Sequence, residues 1–380
     1  GMLASVMLSH DRHRVAHLLA EWAHAERPGD ARLGGYCAAV RAFTGDHDGA
    51  ARALRSTSAH RRTEADLQRD TLLLMLYCPQ FTREEVFEAH RLYGELKARE
   101  TPARPPPIRE PDPDRPLRVG YVSQDFRNRS AGHFIEGIVE HHDRGRVEPW
   151  CYSHRLRADG LTERVRAHAS GFREIHRMTD GQAAERIRAD GIDIAVDLTG
   201  HTGLNRVGVL ASKPAPVQAT YMGYAATTGL GAIDYRIVDG HTDPPPEADG
   251  LATEALVRLE PCFLCYTPPA HAPGVGACPA ESVGSVTLAS FNTFAKITDE
   301  ALGAWARILG EIGGSRLLVK NAGLKDDWLA KRFRERFERA GGDASRLETM
   351  GETPTPAEHM GLYARVDVAL DTFPYNGTTT

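Results

Sequence analysis

Lys296 lies in a short polar loop, Asn292-Thr293-Phe294-Ala295-Lys296, between an apolar stretch and a helix-start signal. An ammonium with two small polar side chains, Asn292 and Thr293, suits an anionic ligand if the loop follows a strand, because open α/β sheets bind ligands at the carboxyl ends of their strands. Taken alone, the loop reads first as a surface turn with a solvated lysine. Near the end of the chain Gly377 is followed by Thr378, Thr379 and Thr380. A glycine with successive hydroxyls suits phosphate oxygens, above all ahead of a helix N-terminus. Two histidines, His133 and His201, stand in other strand-end positions, the second with Asp197 four residues before it. An imidazole exchanges protons near neutral pH, and strand-end loops share one rim, so both histidines are expected to face one cleft. The bland alternatives are a helix cap for His133 and a satisfied strand-end residue for His201. Tyr221 and Tyr224 read as wall and core.

The elements that must position these residues follow from periodicity. Val286 to Ser290 is short, apolar and β-branched, which predicts a buried strand. Thr298 followed by Asp299 and Glu300 is an N-cap signal, and Leu302, Trp305, Ile308, Leu309 and Ile312 recur at helical spacing. Strands are expected at 117–123, 147–153, 192–198, 216–221 and 233–238, with helices from His133 and over 181–189. After a Pro- and Gly-rich break at 268–284 the pattern restarts, with strands at 286–290, 316–319, 347–351 and 368–370 and helices at 298–312, 326–340 and 355–366. Strands alternating with helices mean parallel, doubly wound sheets. The architecture is therefore α/β, two Rossmann-like units, 117–267 and 285–380, with 268–284 as a hinge. It resembles that of GT-B nucleotide-sugar transferases, a likeness that implies a catalytic first half and a nucleotide-sugar-binding second half. A doubly wound unit normally continues past its fourth strand, so the second is expected to be cut short.

Ahead of these units, residues 2–98 read as helical. Ala16, Ala20 and Ala23 before Pro28 have the spacing of a tetratricopeptide (TPR) second helix, and Ala50 and Leu54 repeat it one 34-residue period later. The segment is a groove for a protein partner or a packing appendage. Its five histidines from His10 to His47 are irregularly spaced and read as solvated. Residues 99–116 are Pro-rich and serve as a linker, since proline removes donors and fixes φ.

A formal charge of −5 gives no case for nucleic-acid binding, and no run of 18 apolar residues suggests a membrane span. Six cysteines in 380 residues are not a disulfide framework, so a reducing cytoplasm fits. Cys262 and Cys265 form a C-x-x-C without a second pair, read as structural thiols rather than a zinc or redox site.

Leu117 to Phe126, His133, Asp197 to Thr202, Pro214 to Gln218, Gly223-Tyr224, Ser290 to Asn292 with Lys296, and Leu370 to Thr372 with Asn376 to Thr379 occur in order. Together they resemble the O-linked N-acetylglucosamine transferase family, including its SPINDLY-type plant relatives. The resemblance implies a GT-B glycosyltransferase preceded by TPR-like helices. Its implied reaction moves N-acetylglucosamine from UDP-N-acetylglucosamine to serine or threonine hydroxyls of proteins, with inversion and with neither metal nor cofactor. Lys296 matches the lysine that neutralises the diphosphate, and a positioned cation is what a departing UDP requires. His133 matches an active-site histidine once favoured as general base, and His359 one that packs on the uracil. Asn292, Thr293, Thr378, Thr379 and Thr380 fall on donor-binding positions, and His201 with Asp197 near the acceptor cleft. The acceptor protein would reach the cleft along the helical repeats, without nucleic acid or membrane. Thr293, Pro356, Tyr375 and Thr378 depart from the animal pattern, which bears on the donor. Alternatives are GDP-fucose to Ser/Thr, UDP-glucose to Asn, or a non-catalytic scaffold.

Overall fold

The computed structural model describes residues 12–57, 64–106, 112, 114–155, 157–269 and 272–379, the side chain of Leu67 excepted. Among the described residues five helices lead: α1 His13–Glu26, α2 Ala31–Phe43, α3 His47–Ser56, α4 Ala65–Tyr77 and α5 Arg83–Glu100. Short acidic caps start two of them, because a carboxylate satisfies amides that have no partner within the helix. Asp30 accepts from Arg32 and Leu33, and Asp46 from Gly49. Of the repeat positions Ala16, Ala20, Ala50 and Leu54 are buried and Ala23 is half-buried.

The chain divides into two compact units, one of Gly1–Arg62, Leu73–Thr82 and Ala270–Thr380, the other of Thr63–Leu72 and Arg83–Pro269. The helical segment is thus shared between them instead of standing as a body of its own. His10 lies outside the described residues. His13 and His47 are buried, not solvated, because they meet side chains and backbone of residues after 290.

The larger unit holds a parallel sheet of β1 Leu117–Ser123, β2 Val147–Ser153, β3 Gly171–Glu174, β4 Ile194–Asp197, β5 Val217–Tyr221, β6 Tyr235–Val238 and β7 Ala255–Arg258. Its order is β3-β2-β1-β4-β5-β6-β7, with Val119 opposite both Pro149 and Ile194. The order reverses at β1 and β4, so the loops after those two strands flank the switch point where such sheets bind ligands. Its helices are α6 Gly132–His141, α7 Gly160–His168, α8 Asp180–Ala189 and α9 Val207–Ala211. Periodicity does not disclose β3, β7, α7 and α9. β3 and β7 expose alternate or intermediate faces, α9 is five residues long, and α7 is set by a capping box between Asp159 and Thr162.

Helix α5 packs on this sheet unit through Tyr93 and Leu96, which join Val122, Tyr152, Ile187 and Leu210 in one core. Two glycines allow the approach. A Cβ on Gly94 would lie 1.6 Å from the Gly229 carbonyl oxygen, and one on Gly229, at φ +75°, would lie 1.9 Å from the His90 carbonyl oxygen. Backbone cannot yield as a side-chain tip can, so Gly94→Ala is expected to lower stability by about 3 kcal/mol, read as a drop in the denaturant midpoint with the slope unchanged.

The smaller unit holds β8 Thr287–Ser290, β9 Arg316–Lys320, β10 Leu347–Met350 and β11 Val368–Ala369, all parallel, in the order β10-β9-β8-β11. Its helices are α10 Pro279–Val283, α11 Asp299–Glu311, α12 Asp327–Arg339 and α13 Pro356–Gly361. Thr298 caps α11 by accepting from Ala301, as the sequence predicts. α10 falls in the stretch expected to be a featureless hinge, where Asp367 accepts from Ala280 and from the Cys278 thiol. α13 ends five residues early and continues as a 3₁₀ turn, Leu362–Arg365. Leu302, Trp305, Leu309, Phe333 and Phe337 fill the core beneath the sheet. Here the switch falls between β8 and β11, making the loops that follow them neighbours.

Cys262 and Cys265 are exposed, contrary to their reading as structural thiols. The segment turns Phe263 inward onto Tyr221, whose hydroxyl donates to the Phe263 carbonyl, and leaves the sulfurs outside. Among the described residues no group of three or more potential ligands could hold a metal, and no helix is long and apolar enough to cross a membrane.

Candidate functional site

The β8/β11 switch point collects most of the predicted donor-binding residues. Asn292 leaves β8 buried, its amide donating to Ser290 Oγ at 3.2 Å, and its carbonyl accepts from Asn321 at 3.2 Å. Thr293 is exposed and opens the 3₁₀ turn Phe294–Lys296. From this turn Lys296 extends to the loop after β11, donating to the Asn376 carbonyl at 2.9 Å with its Nζ 4.6 Å from the Tyr375 ring centre. Neither contact neutralises it, and among the described residues Lys296 forms no salt bridge. Loss of water pulls the lysine pKa down, against the opposing field of Asp371.

Asp371 organises the loop. Its Oδ1 accepts from the Thr372 and Gly377 amides, both at 2.7 Å, and its Oδ2 from Asn376 Nδ2 at 3.2 Å. Glycine is required at 377, since a Cβ would stand 2.5 Å from Asn292 Oδ1 and 2.9 Å from Asp371 Oδ1. Thr378 follows at φ +41°, in the left-handed region that a β-branched residue avoids. Such strain persists where surrounding structure imposes it, and it concentrates at ligand sites. Thr378 is exposed and Thr379 half-buried beside it. Thr380 lies outside the described residues.

A second cluster continues from Asn292. His359 on α13 has its Nδ1 3.0 Å from the ammonium of Lys320, the last residue of β9, so the imidazole accepts there and carries its proton on Nε2. Burial and then the Lys320 charge hold His359 below the ordinary histidine range. Phe291 packs against both His359 and Tyr363, at 5.7 and 4.9 Å between ring centres. The strip offers a half-buried aromatic surface for a planar base. Lys320, Phe291 and Tyr363 were missed in the sequence as site residues, although a lysine closing an apolar strand is a signal that could have found Lys320.

In the larger unit, His133 is the second residue of α6, in the loop and helix after β1. Its ring lies 6.3 Å from Tyr266, and its carbonyl accepts from the Thr267 amide at 2.7 Å. It is half-buried.

Asp197 and His201 do not line an open acceptor cleft as expected. They are 1% and 3% exposed. Asp197 accepts from the Gly200 amide at 2.8 Å, the Thr199 amide at 3.2 Å and the Thr220 hydroxyl at 2.9 Å, which ties the loop after β4. Its pKa is raised by burial. His201 donates from Nε2 to the Thr228 carbonyl at 2.7 Å and packs edge-on against Tyr93, with His90 and Tyr224 on either side. Helix α5 covers His201 through His90 and Tyr93, and Asp197 is turned into its own loop, so neither holds the rim position that their place after β4 implied.

Comparison with known proteins gives this geometry a lineage. The profile of Glycosyl transferase family 41 matches residues 105–265. The solved structure of an O-GlcNAc transferase mutant from Thermobaculum terrenum superposes with a TM-score of 0.88 and 33% identity, covering 99% of this chain and 71% of that one. The chain belongs to the O-GlcNAc transferase family. Its fold is GT-B, two Rossmann-like units with a helical N-terminal segment. The family's probable UDP-N-acetylglucosamine–peptide N-acetylglucosaminyltransferase SPINDLY from Arabidopsis thaliana is 41% identical over 313 residues, 81% of this chain and 34% of the relative. The UDP-N-acetylglucosamine–peptide N-acetylglucosaminyltransferase of Caenorhabditis elegans is 38% identical over 151 residues, 39% of this chain and 13% of that protein. The chain spans about a third of the length of the SPINDLY relatives it matches.

Proposed function

We propose that the protein is an inverting glycosyltransferase that moves N-acetylglucosamine from UDP-N-acetylglucosamine to serine and threonine hydroxyls of proteins. The observation that carries this is Lys296, a half-buried ammonium that forms no salt bridge among the described residues, at the β8/β11 switch point beside the strained Asn376–Thr379 turn. Cleaving the sugar bond leaves negative charge on the diphosphate, and a fixed cation there lowers the barrier without waiting for solvent to reorganise. The Thr378 and Thr379 hydroxyls hold phosphate oxygens, while Asn292 braces the turn against β8. The base stacks along His359, whose Nε2–H donates to a carbonyl of the base. His133 takes the hydroxyl proton as the new bond forms, giving one in-line displacement and hence inversion. Lys296 fills the role for which other transferases use a divalent ion, so the reaction is assigned no metal. Acceptor proteins present their hydroxyls with the helical segment as a second contact surface. The names of the relatives support this donor and this acceptor class.

Thermal unfolding with nucleotides tests the donor. UDP at a hundredfold excess over its dissociation constant should stabilise the fold by about 2.7 kcal/mol, with transfer persisting in EDTA. Stabilisation by GDP and none by UDP overturns the donor, and loss of transfer on chelation overturns the role given to Lys296.

A further inference from the structure

The turn that carries Lys296 is fastened from outside on both flanks. Before the lysine, the Ala295 carbonyl lies 3.0 Å from Nε2 of His47, the first residue of α3. After it, the Ile297 carbonyl accepts from Arg336 Nη2 on α12 at 2.9 Å, with Arg336 Nε on Asp299 at 2.9 Å. Both donors are buried, His47 at 5% and Arg336 at 3% exposed. The same helical segment reaches the lysine's far end as well. Tyr77, the last residue of α4, packs 5.0 Å from the Tyr375 ring, which is the ring under the Lys296 ammonium. A three-residue 3₁₀ turn has little stability of its own, since its hydrogen bonds are few and poorly aligned. Its shape is therefore set by what holds its carbonyls.

We propose that His47 is a positioning residue for Lys296. Its imidazole N–H fixes the Ala295 carbonyl and so the direction in which the lysine leaves the turn, making the helical segment part of the donor site's framework. The consequence for catalysis rests on the function proposed above; the consequence for the lysine itself does not.

The test compares two replacements of similar bulk in the full chain, His47→Gln, which keeps a donor, and His47→Met, which does not. Labelling of Lys296 by an amine-reactive succinimidyl ester, followed by mass spectrometry, reads the turn directly, with the exposed Lys331 as internal control. His47→Met should label Lys296 several-fold faster and His47→Gln at the parental rate. Turnover should fall about tenfold or more in His47→Met, in kcat more than in KM, and recover in His47→Gln, because a small misplacement of a charge-stabilising group acts on the transition state. Equal labelling of Lys296 in the two variants overturns the proposal even if both are slow. Differential labelling in a protein that transfers no sugar upholds the positioning role and defeats the proposed function instead.

Discussion

Replacing Lys296 with alanine is expected to lower kcat about 10²–10³-fold, the cost typical of removing one preorganised charge-stabilising group, while the thermal midpoint stays where it was or rises. The two halves of the expectation have one cause. The ammonium is desolvated enough for its pKa to be drawn down, yet its direct contacts are a carbonyl and an aromatic ring. The resting protein thus bears the cost of a partly dehydrated charge that an anionic ligand would repay. Removing the charge relieves the fold and leaves the developing negative charge unmatched. Arginine should not rescue, since its planar fork is broader than the ammonium seated over Tyr375. Because the lysine titrates below its ordinary range, the alkaline limb of the rate profile should also fall there in the parent. Steady-state release of UDP and a melting curve on the same sample decide the matter. A variant within threefold of parental turnover refutes the assignment.

Stability should drop steeply as pH falls from 6.5 toward 5, through the histidines buried where α5 meets the loop after β4. Burial, the dominant cause, holds His90 at about 4 and His201 at about 3, against an unperturbed 6.5. The hydrogen bonds agree with neutral rings: His90 accepts from the Tyr224 hydroxyl at 2.7 Å through Nε2 and donates from Nδ1 to the Val86 carbonyl at 2.6 Å. The folded pKa values lie below the unfolded one, so the unfolded chain takes up protons first. Stability is full above pH 6.5 and is lost on acidification until the folded values are reached. For His90 alone the difference amounts to about 3 kcal/mol. Two such groups give a slope of up to about 2.7 kcal/mol per pH unit while both titrate only in the unfolded chain. Urea midpoints at half-unit steps measure it. His90→Phe should remove about half of this pair's share of the slope, to which His154, also held at about 4 by burial, adds, and a flat profile over this window would show that the cluster is open to water.

Local signals in the chain were enough for most elements. The Thr298 cap starts α11 where it should, and the apolar runs of β1, β2, β8 and β9 lie within a residue or so of their observed bounds, because capping and periodicity act over a few residues. Elements set by edges or by length, such as β3 and α9, leave no such trace. Asp197 and His201 show the commoner limit. A polar residue after a strand looks the same whether it faces solvent or lies under a helix, and His90 and Tyr93, which bury His201, come from more than a hundred residues upstream.

By itself the chain determined that two parallel α/β units follow a helical segment, and that Lys296 and the Gly377 turn each sit at the end of a strand. Only the tertiary structure decided that these two ends meet. β11 pairs beside β8, which brings the Asn376 carbonyl to the ammonium of Lys296 across 80 residues. It also decided that His47, read as solvated, is a buried donor to the turn that carries that lysine. Strand adjacency and helix docking are settled by which apolar faces bury one another over the whole chain, and no short window of residues contains that information.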